Sequence, residues 1–423
     1  MAVGRTQRIG FVSTRLAGTD GVSLEARKWS DVLTGLGHEC FYFAGESDWP
    51  AERSYVVPEA HFQHPEIQAL NASLFGTGIR SPETSRRIEV LKQRLHGALR
   101  RFVDSFDLEL LIVENALAIP VHVPLGLALT AFIAEEGLPT IGHHHDFAWE
   151  RARFWPNAAA DYLRSSFPPN LPSVRHVVIN SIAAEQLALR TGANASLIPN
   201  VMDFDSPPTD PSEEAQADDL RSALGIGPVE NLLLQPTRIV PRKGIERSIE
   251  LARRLDRPCA LVISHASGDE GTAYEAYLRT YADLMGVRVV FAAGRIAHRR
   301  GRAVEGRKVY GLNDIYRQAD LVTYPSLVEG FGNAFLEAIY YRRPIVVNRY
   351  DVFRTDIEPK GFDVVAFDGF VREETVRHVE AILGDGDLQA EMVNHNYRLG
   401  QLHYSYSTLR EHLVALLHDC LNG

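Results

Sequence analysis

Short apolar runs recur along the chain, and stretches with helical spacing lie between them. The runs Arg8–Ser13, Glu39–Ala44, Leu108–Val113, Thr140–His143 and Arg175–Asn180 predict one set of strands. A second set is predicted at Asn231–Gln235, Cys259–Ser264, Val287–Ala292, Leu321–Tyr324 and Pro344–Asn348. These runs lack the in–out alternation of a strand with one wet face, so they point to parallel sheets covered on both sides. Helical stretches such as Ser23–Leu36 and Gly244–Leu255 supply the cover. The pattern predicts an α/β protein built on doubly wound parallel sheets. The two halves share this rhythm but no sequence repeat.

Between the halves, Asp203–Gly227 holds Pro207, Pro208 and Pro211 and the acidic residues Glu213, Glu214, Asp218 and Asp219. It reads as a solvated linker running into a helix. Within Arg86–Phe102, the residues Ile88, Leu91, Leu95, Leu99 and Phe102 follow helical spacing, with Arg86, Arg87, Lys92, Arg94, Arg100 and Arg101 around them. A basic amphipathic helix on an anionic membrane is one reading. The stripe is ordinary and the protein acidic, which favours a helix packed on the first sheet.

A length of 423 residues exceeds one ordinary core and fits two domains. The net charge of −10 is the wrong sign for a nucleic-acid binder. Cys40, Cys259 and Cys420 form no CxxC pair, which removes zinc-ribbon and thiol-redox readings. No apolar run reaches the roughly 18 residues of a membrane span, and the first residues carry no signal-peptide core. The expectation is a cytoplasmic protein without a transmembrane segment, with peripheral membrane contact a minor alternative.

The segment Tyr324–Ala338 reads YPSLVEGFGNAFLEA. It leaves an apolar strand, passes a turn in which Gly330 and Gly332 flank Phe331, and enters a helix at Asn333. Glycines at such a turn let backbone N–H groups approach a ligand, and the helix N-terminus behind favours an anion such as a diphosphate. Glu329 and Glu337 straddle the turn, and a carboxylate suits paired sugar or ribose hydroxyls. The second segment, PTRIVPRKG at Pro236–Gly244, follows the strand Asn231–Gln235. Arg238 and Lys243, with Arg242 beside them, are cations at a strand's carboxyl end, suited to a diphosphate.

Together the two segments resemble the retaining GT-B glycosyltransferases of the large fourth sequence family, also called glycosyl transferases group 1. That family includes sucrose-phosphate synthases, bacterial-type glycogen synthases and many mannosyltransferases. Ile198–Asp203, IPNVMD, resembles the family's entry to its second domain. The resemblance implies two Rossmann-like, doubly wound domains facing a cleft. One is an acceptor-side domain over 1–205, completed by a C-terminal helix at 404–423. The other is a nucleotide-sugar domain over 228–403. Arg238 and Lys243 would grip the donor diphosphate and Glu337 the ribose. Glu329 would sit at the sugar, with Gly330 and the amides around Phe331, Gly332 and Asn333. Arg295 and Ile296, after the strand Val287–Ala292, would hold the nucleobase through backbone atoms. In the first domain the family's glycine-rich phosphate loop is represented by Gly21 alone.

Gly142–Arg151 reads GHHHDFAWER and follows a strand. Adjacent histidines on extended chain alternate faces, so three cannot converge on one ion. The resemblance places a histidine near the donor sugar here; His145 is the match, with His143 and His144 as neighbouring registers. Asp203-Phe204-Asp205 has the form of a metal-binding DxD but lies in the linker, and reads as accidental. The expected activity is metal-independent and cofactor-free transfer of a hexose, glucose or mannose, from a UDP- or GDP-sugar to an unidentified acceptor. A nucleotide-sugar epimerase and a non-catalytic nucleotide-sugar-binding subunit are the alternatives.

Overall fold

The computed structural model describes residues 5–422 apart from 19, 207, 209–216, 268–270 and 304–305. Pro207, Pro211, Glu213 and Glu214 of the expected linker lie outside the described residues. The chain forms two compact units, Met1–Val201 with Tyr406–Gly423, and Met202–Ser405.

Unit 1 is built on seven parallel strands: β1 (Arg8–Val12), β2 (Glu39–Ala44), β3 (Ser54–Val56), β4 (Leu110–Glu114), β5 (Thr140–His144), β6 (Val174–Val178) and β7 (Ala195–Leu197). Their order is β3-β2-β1-β4-β5-β6-β7. The chain therefore builds outward from β1 in one direction, returns, and builds from β4 in the other. One face of this sheet packs Ile9 and Phe11 against Trp29 and Leu33 of the helix Gly21–Gly35 and against Leu409, Leu413 and Leu417 of the helix Tyr406–Asn422. The opposite face packs Val12, Phe43 and Val113 against Leu95, Leu99 and Phe102. Those three residues belong to the helix Pro82–Phe106, whose apolar stripe is thus buried while its basic residues line the rest of the surface. Helices on both faces explain why the strands are apolar throughout.

Unit 2 repeats the design with six parallel strands: β8 (Asn231–Gln235), β9 (Cys259–Ile263), β10 (Val289–Phe291), then β14 (Leu321–Tyr324), β15 (Ile345–Asn348) and β16 (Val365–Phe367). The order is β10-β9-β8-β14-β15-β16, so the direction of winding reverses between β8 and β14. Between β10 and β14 lies a small sheet of β11 (Ile296–Ala297), β12 (Gly301–Arg302) and β13 (Lys308–Gly311). Among the described residues no helix is long and apolar enough to cross a membrane.

Candidate active site

In an open parallel sheet, ligands bind outside the carboxyl ends of the strands where the winding reverses. In unit 2 that point lies between β8 and β14, and the two motif segments leave those two strands. Their loops are joined by a backbone hydrogen bond from Leu327 N–H to the Arg242 carbonyl at 2.8 Å. Gln235 anchors both strands from below: its Oε1 accepts from Ser248 and Thr323 hydroxyls at 2.8 and 2.9 Å. Asn348 holds the second loop from β15, donating to the Ser326 carbonyl at 2.9 Å and accepting from Gly369 N–H.

This scaffold brings Lys243 and Glu329 into a direct ion pair, though 86 residues separate them. Both side chains are 10% exposed. Burial lowers the pKa of Lys243, with the Glu329 charge opposing it. Burial pushes Glu329 up, but Lys243 and Arg242 outweigh it and hold its carboxyl below the ordinary value. Arg238 stands exposed on the same loop. The result is a desolvated cation next to an exposed one, with a carboxylate already ionised beside them.

Beyond Glu329 the chain turns at Gly330–Phe331–Gly332. Phe331 is buried, its carbonyl accepts from the Tyr350 hydroxyl at 2.7 Å, and its ring meets Tyr404 edge-on. Gly332 has φ 126°, and a Cβ there would lie 2.4 Å from the Tyr350 oxygen. The helix Asn333–Tyr340 begins immediately, and Gly332 at its N-cap has no side chain to cap it. Glu337 lies on that helix and accepts from the buried Tyr316 hydroxyl at 2.6 Å. The loop expected at the nucleobase is a tight turn. The N–H groups of Arg295 and Ile296 both donate to the Ala292 carbonyl, and the Arg295 carbonyl accepts from Tyr310. The N–H groups of Arg295 and Ile296 are thus used within the turn, and among the described residues the Arg295 Nε is buried without a partner.

In unit 1 the helix Gly21–Gly35 is capped by Asp20, whose carboxylate accepts from Val22 and Ser23 N–H groups. These are amides that a phosphate beside Gly21 would use. Asp20→Ala should cost about 1 kcal/mol of stability, the usual value of a lost N-cap, read by urea denaturation. The three histidines divide as the alternation of strand faces requires, but two of them converge. His144 turns to one face, where its Nε2 meets His176 Nδ1 at 2.8 Å. His143 stacks on Trp29 at 4.1 Å, and its Nδ1 reaches Glu114 at the end of β4. His145 follows the strand, and its Nε2 lies 3.1 Å from the same carboxylate. Burial pushes Glu114 up, but the charges and hydrogen bonds of His143 and His145 hold it down at about 2. Burial pushes His145 down, and Glu114 more than offsets it, leaving its pKa raised. Among the described residues, Glu114, His143 and His145 form a group whose possible metal-ligand atoms all lie within 4.8 Å of one another. Asp203 and Asp205 are not part of it. They flank Phe204, which is buried against Tyr340 and Tyr397.

The sequence model of the family described as glycosyl transferases group 1 matches residues 306–399. The mannosylglucosylglycerate synthase of Thermotoga maritima is 32% identical over 96% of this chain and 98% of its own length. The protein of the same name from Petrotoga mobilis is 31% identical over 85% of this chain and 86% of its own length. The chain belongs to the group 1 glycosyltransferases. The crystal structure of HepE from Anabaena with UDP and glucose has a TM-score of 0.66, covers 98% of this chain and 100% of its own, and is 14% identical. At that identity the likeness speaks for the GT-B fold alone.

In this glycosyltransferase, sequence reading missed three side chains. His265, at the carboxyl end of β9, is held neutral near pKa 4 by burial and by the Lys243 and Arg238 charges. Tyr316 orients Glu337 from a helix with no motif of its own. Glu114 closes an otherwise apolar strand, and a charge at that position was its available signal.

Proposed function

We propose that this glycosyltransferase moves a mannosyl group from GDP-mannose to a hydroxyl of glucosylglycerate, with retention of anomeric configuration. The observation that carries the reading is the likeness, over 96% and 85% of this chain, to two proteins named mannosylglucosylglycerate synthase. That name describes a mannosyl group on a glucosylglycerate. Arg238 and Lys243 take the donor diphosphate, an electrostatic contribution that is usually large in catalysis. Glu329 takes the sugar hydroxyls, with Gly330, Phe331, Gly332 and Asn333 around them, and Glu337 takes the ribose. The base lies at the Arg295–Ile296 loop, read through the Arg295 side chain. In unit 1, His145 is the candidate catalytic group, oriented by Glu114. By motif, the two segments of unit 2 supply cations and sugar-binding carboxylates rather than a base. The leaving phosphate oxygen can accept the acceptor proton, which favours attack from the face of departure.

The test is incubation with GDP-mannose and glucosylglycerate, with products identified by mass spectrometry and anomeric NMR. A mannosylglucosylglycerate of α configuration, from the α-linked donor, is expected. An epimerase would convert the donor without acceptor, and a binding subunit would leave both unchanged; either result sinks the proposal. A β product would overturn retention while leaving the transfer intact.

Two further expectations concern the donor site. Glu337→Ala should weaken GDP binding by about 1.5–3 kcal/mol, the scale of hydrogen bonds to a charged group. Calorimetry showing equal affinity would remove Glu337 from the ribose. Transfer should also survive exhaustive EDTA treatment, because Arg238 and Lys243 neutralise the leaving group. A complete loss restored by Mg²⁺ would contradict this and turn attention to Glu114, His143 and His145.

A further inference from the structure

Unit 1 holds a second polar cluster, at the carboxyl ends of β1 and β2, built from residues outside every motif above. Beyond their strands the two segments continue side by side, with Gly45 N–H donating to the Thr14 carbonyl and Leu16 N–H to that of Glu46. The loop after β3 folds down onto them. A Cβ at Gly45 would lie 2.1 Å from the His61 backbone nitrogen, so only glycine lets the loop come this close. The approach lays the Phe62 ring against the Arg15 guanidinium, 5.2 Å from its carbon to the ring centre. It also sets His61 Nε2 3.3 Å from the Glu46 carboxylate.

The donors at this place are not all used. Arg15 gives one terminal nitrogen to Asp20 at 2.9 Å, while its Nε is shielded from solvent and has no partner among the described residues. His64 Nδ1 is likewise shielded and unpartnered. Burial lowers the pKa of His61; Glu46 opposes that, and Arg15 and His64 add to it, so three basic groups share one neighbourhood. The adjacent His122 is not part of the set. Its Nδ1 accepts from Leu125 N–H, its Nε2 meets the Glu59 carbonyl, and burial holds it near pKa 4. Buried polar groups without partners are uncommon, and a guanidinium edge with a free Nε–H matches the two oxygens of a carboxylate. β1, which Arg15 follows, is itself one of the two strands between which unit 1 reverses its winding.

We propose that Arg15, with His64 and His61 beside it, is the subsite for the acceptor's carboxylate. The proposal rests on the reading of the acceptor as a glucosylglycerate. Arg15 Nε–H donates to one carboxylate oxygen, His64 presents its imidazole to the other, and Phe62 keeps the guanidinium plane in place. Asp20 orients the guanidinium, and Glu46 the His61 imidazole, from outside. Such a site rejects an acceptor of the same shape that lacks the anion, because its donors are then left unpaired.

The experiment compares kcat/KM of the full chain, with GDP-mannose as donor, for three acceptors. These are glucosylglycerate, glucosylglycerol, in which a CH₂OH replaces the carboxylate, and glucosyl-3-phosphoglycerate. Wild-type protein should prefer glucosylglycerate over glucosylglycerol. Arg15→Gln should lower that preference by roughly 10- to 100-fold, at tenfold per 1.4 kcal/mol, and His64→Asn should lower it in the same direction. Both acceptors are assayed on one preparation, so partial unfolding cancels in the ratio. If Arg15→Gln does not fold, Arg15→Lys and His64→Asn carry the same readout. A wild-type preference that survives in the variants overturns the subsite and leaves the acceptor assignment standing. Wild-type protein that ignores glucosylglycerate overturns the acceptor assignment, and the subsite with it. Variants that lose activity only on the phosphorylated acceptor would show a phosphate site and also overturn the proposal.

Discussion

Lys243→Ala should lower kcat/KM for sugar transfer by roughly 10²–10³-fold, the loss of about 2.7–4 kcal/mol that follows removal of one preorganised donor to developing charge. Two features make Lys243 the cation with the larger effect. It is buried, so its charge acts through little water, whereas Arg238 on the same loop is exposed. It is also held by Glu329, and so is positioned before the donor arrives. The same pairing complicates the variant. Removing Lys243 leaves Glu329 buried without its main partner, and breaking a buried pair costs about 3–5 kcal/mol of stability. The double variant Lys243→Met/Glu329→Gln removes both charges. It should regain much of that stability while staying inactive. Steady-state kinetics beside urea denaturation separate the two effects. Near-parental turnover in folded Lys243→Ala would remove this residue from the diphosphate.

Gly332→Ala should be the most damaging single-methyl change in unit 2. The residue has φ 126°, outside the range side-chain-bearing residues adopt readily, and its Cβ would meet the Tyr350 oxygen at 2.4 Å. Tyr350 cannot easily withdraw: it is buried and its hydroxyl is bonded to the Phe331 carbonyl. Strained dihedrals cost about 1–3 kcal/mol and overpacking a similar amount. A combined loss of roughly 2–5 kcal/mol is expected, with donor binding weakened if, as proposed, the Phe331 and Asn333 amides of the same turn hold the donor. Adding Tyr350→Phe removes the colliding oxygen and should recover the packing part but not the dihedral part. Thermal unfolding of the single and double variants gives both terms. A single variant with parental stability and donor affinity would show that the turn has slack.

The strands that sequence pattern reveals are those buried on both faces. β1, β4, β8 and β14 are apolar nearly end to end, and they flank the two points where winding reverses. β3, β7 and β16 were missed; each is a three-residue strand at a sheet edge, as is β10, which was found because it lies within the longer apolar run Val287–Ala292. The two-residue strands β11 and β12 carry no period at all. In the site, Lys243 and Glu329 were legible through motif alone. Spacing could not pair residues 86 apart; the adjacency of β8 and β14 does so. The same limit hid Glu114. The period of two along β5 separates His144 from its neighbours, but which strand lies beside His143 is a matter of topology. At Arg295 and Ile296 the family likeness suggested backbone contacts to a base, and the turn in which both N–H groups bond to Ala292 is not visible in the sequence.

The helix Tyr406–Asn422 places Leu409, Leu413 and Leu417 in the same core as Ile9 and Trp29. Unit 1 is thus assembled from two stretches separated by the whole of unit 2, and this sets an order on biosynthesis. Its first 201 residues leave the ribosome long before the segment that covers one face of their sheet exists. Unit 2, drawn from one continuous stretch, can fold while translation continues. During that interval the nascent amino-terminal half exposes Ile9, Phe11, Trp29 and Leu33 to the cell. A nonsense codon near residue 405 would therefore leave the carboxy-terminal unit whole and make the amino-terminal one a client of chaperones and proteases.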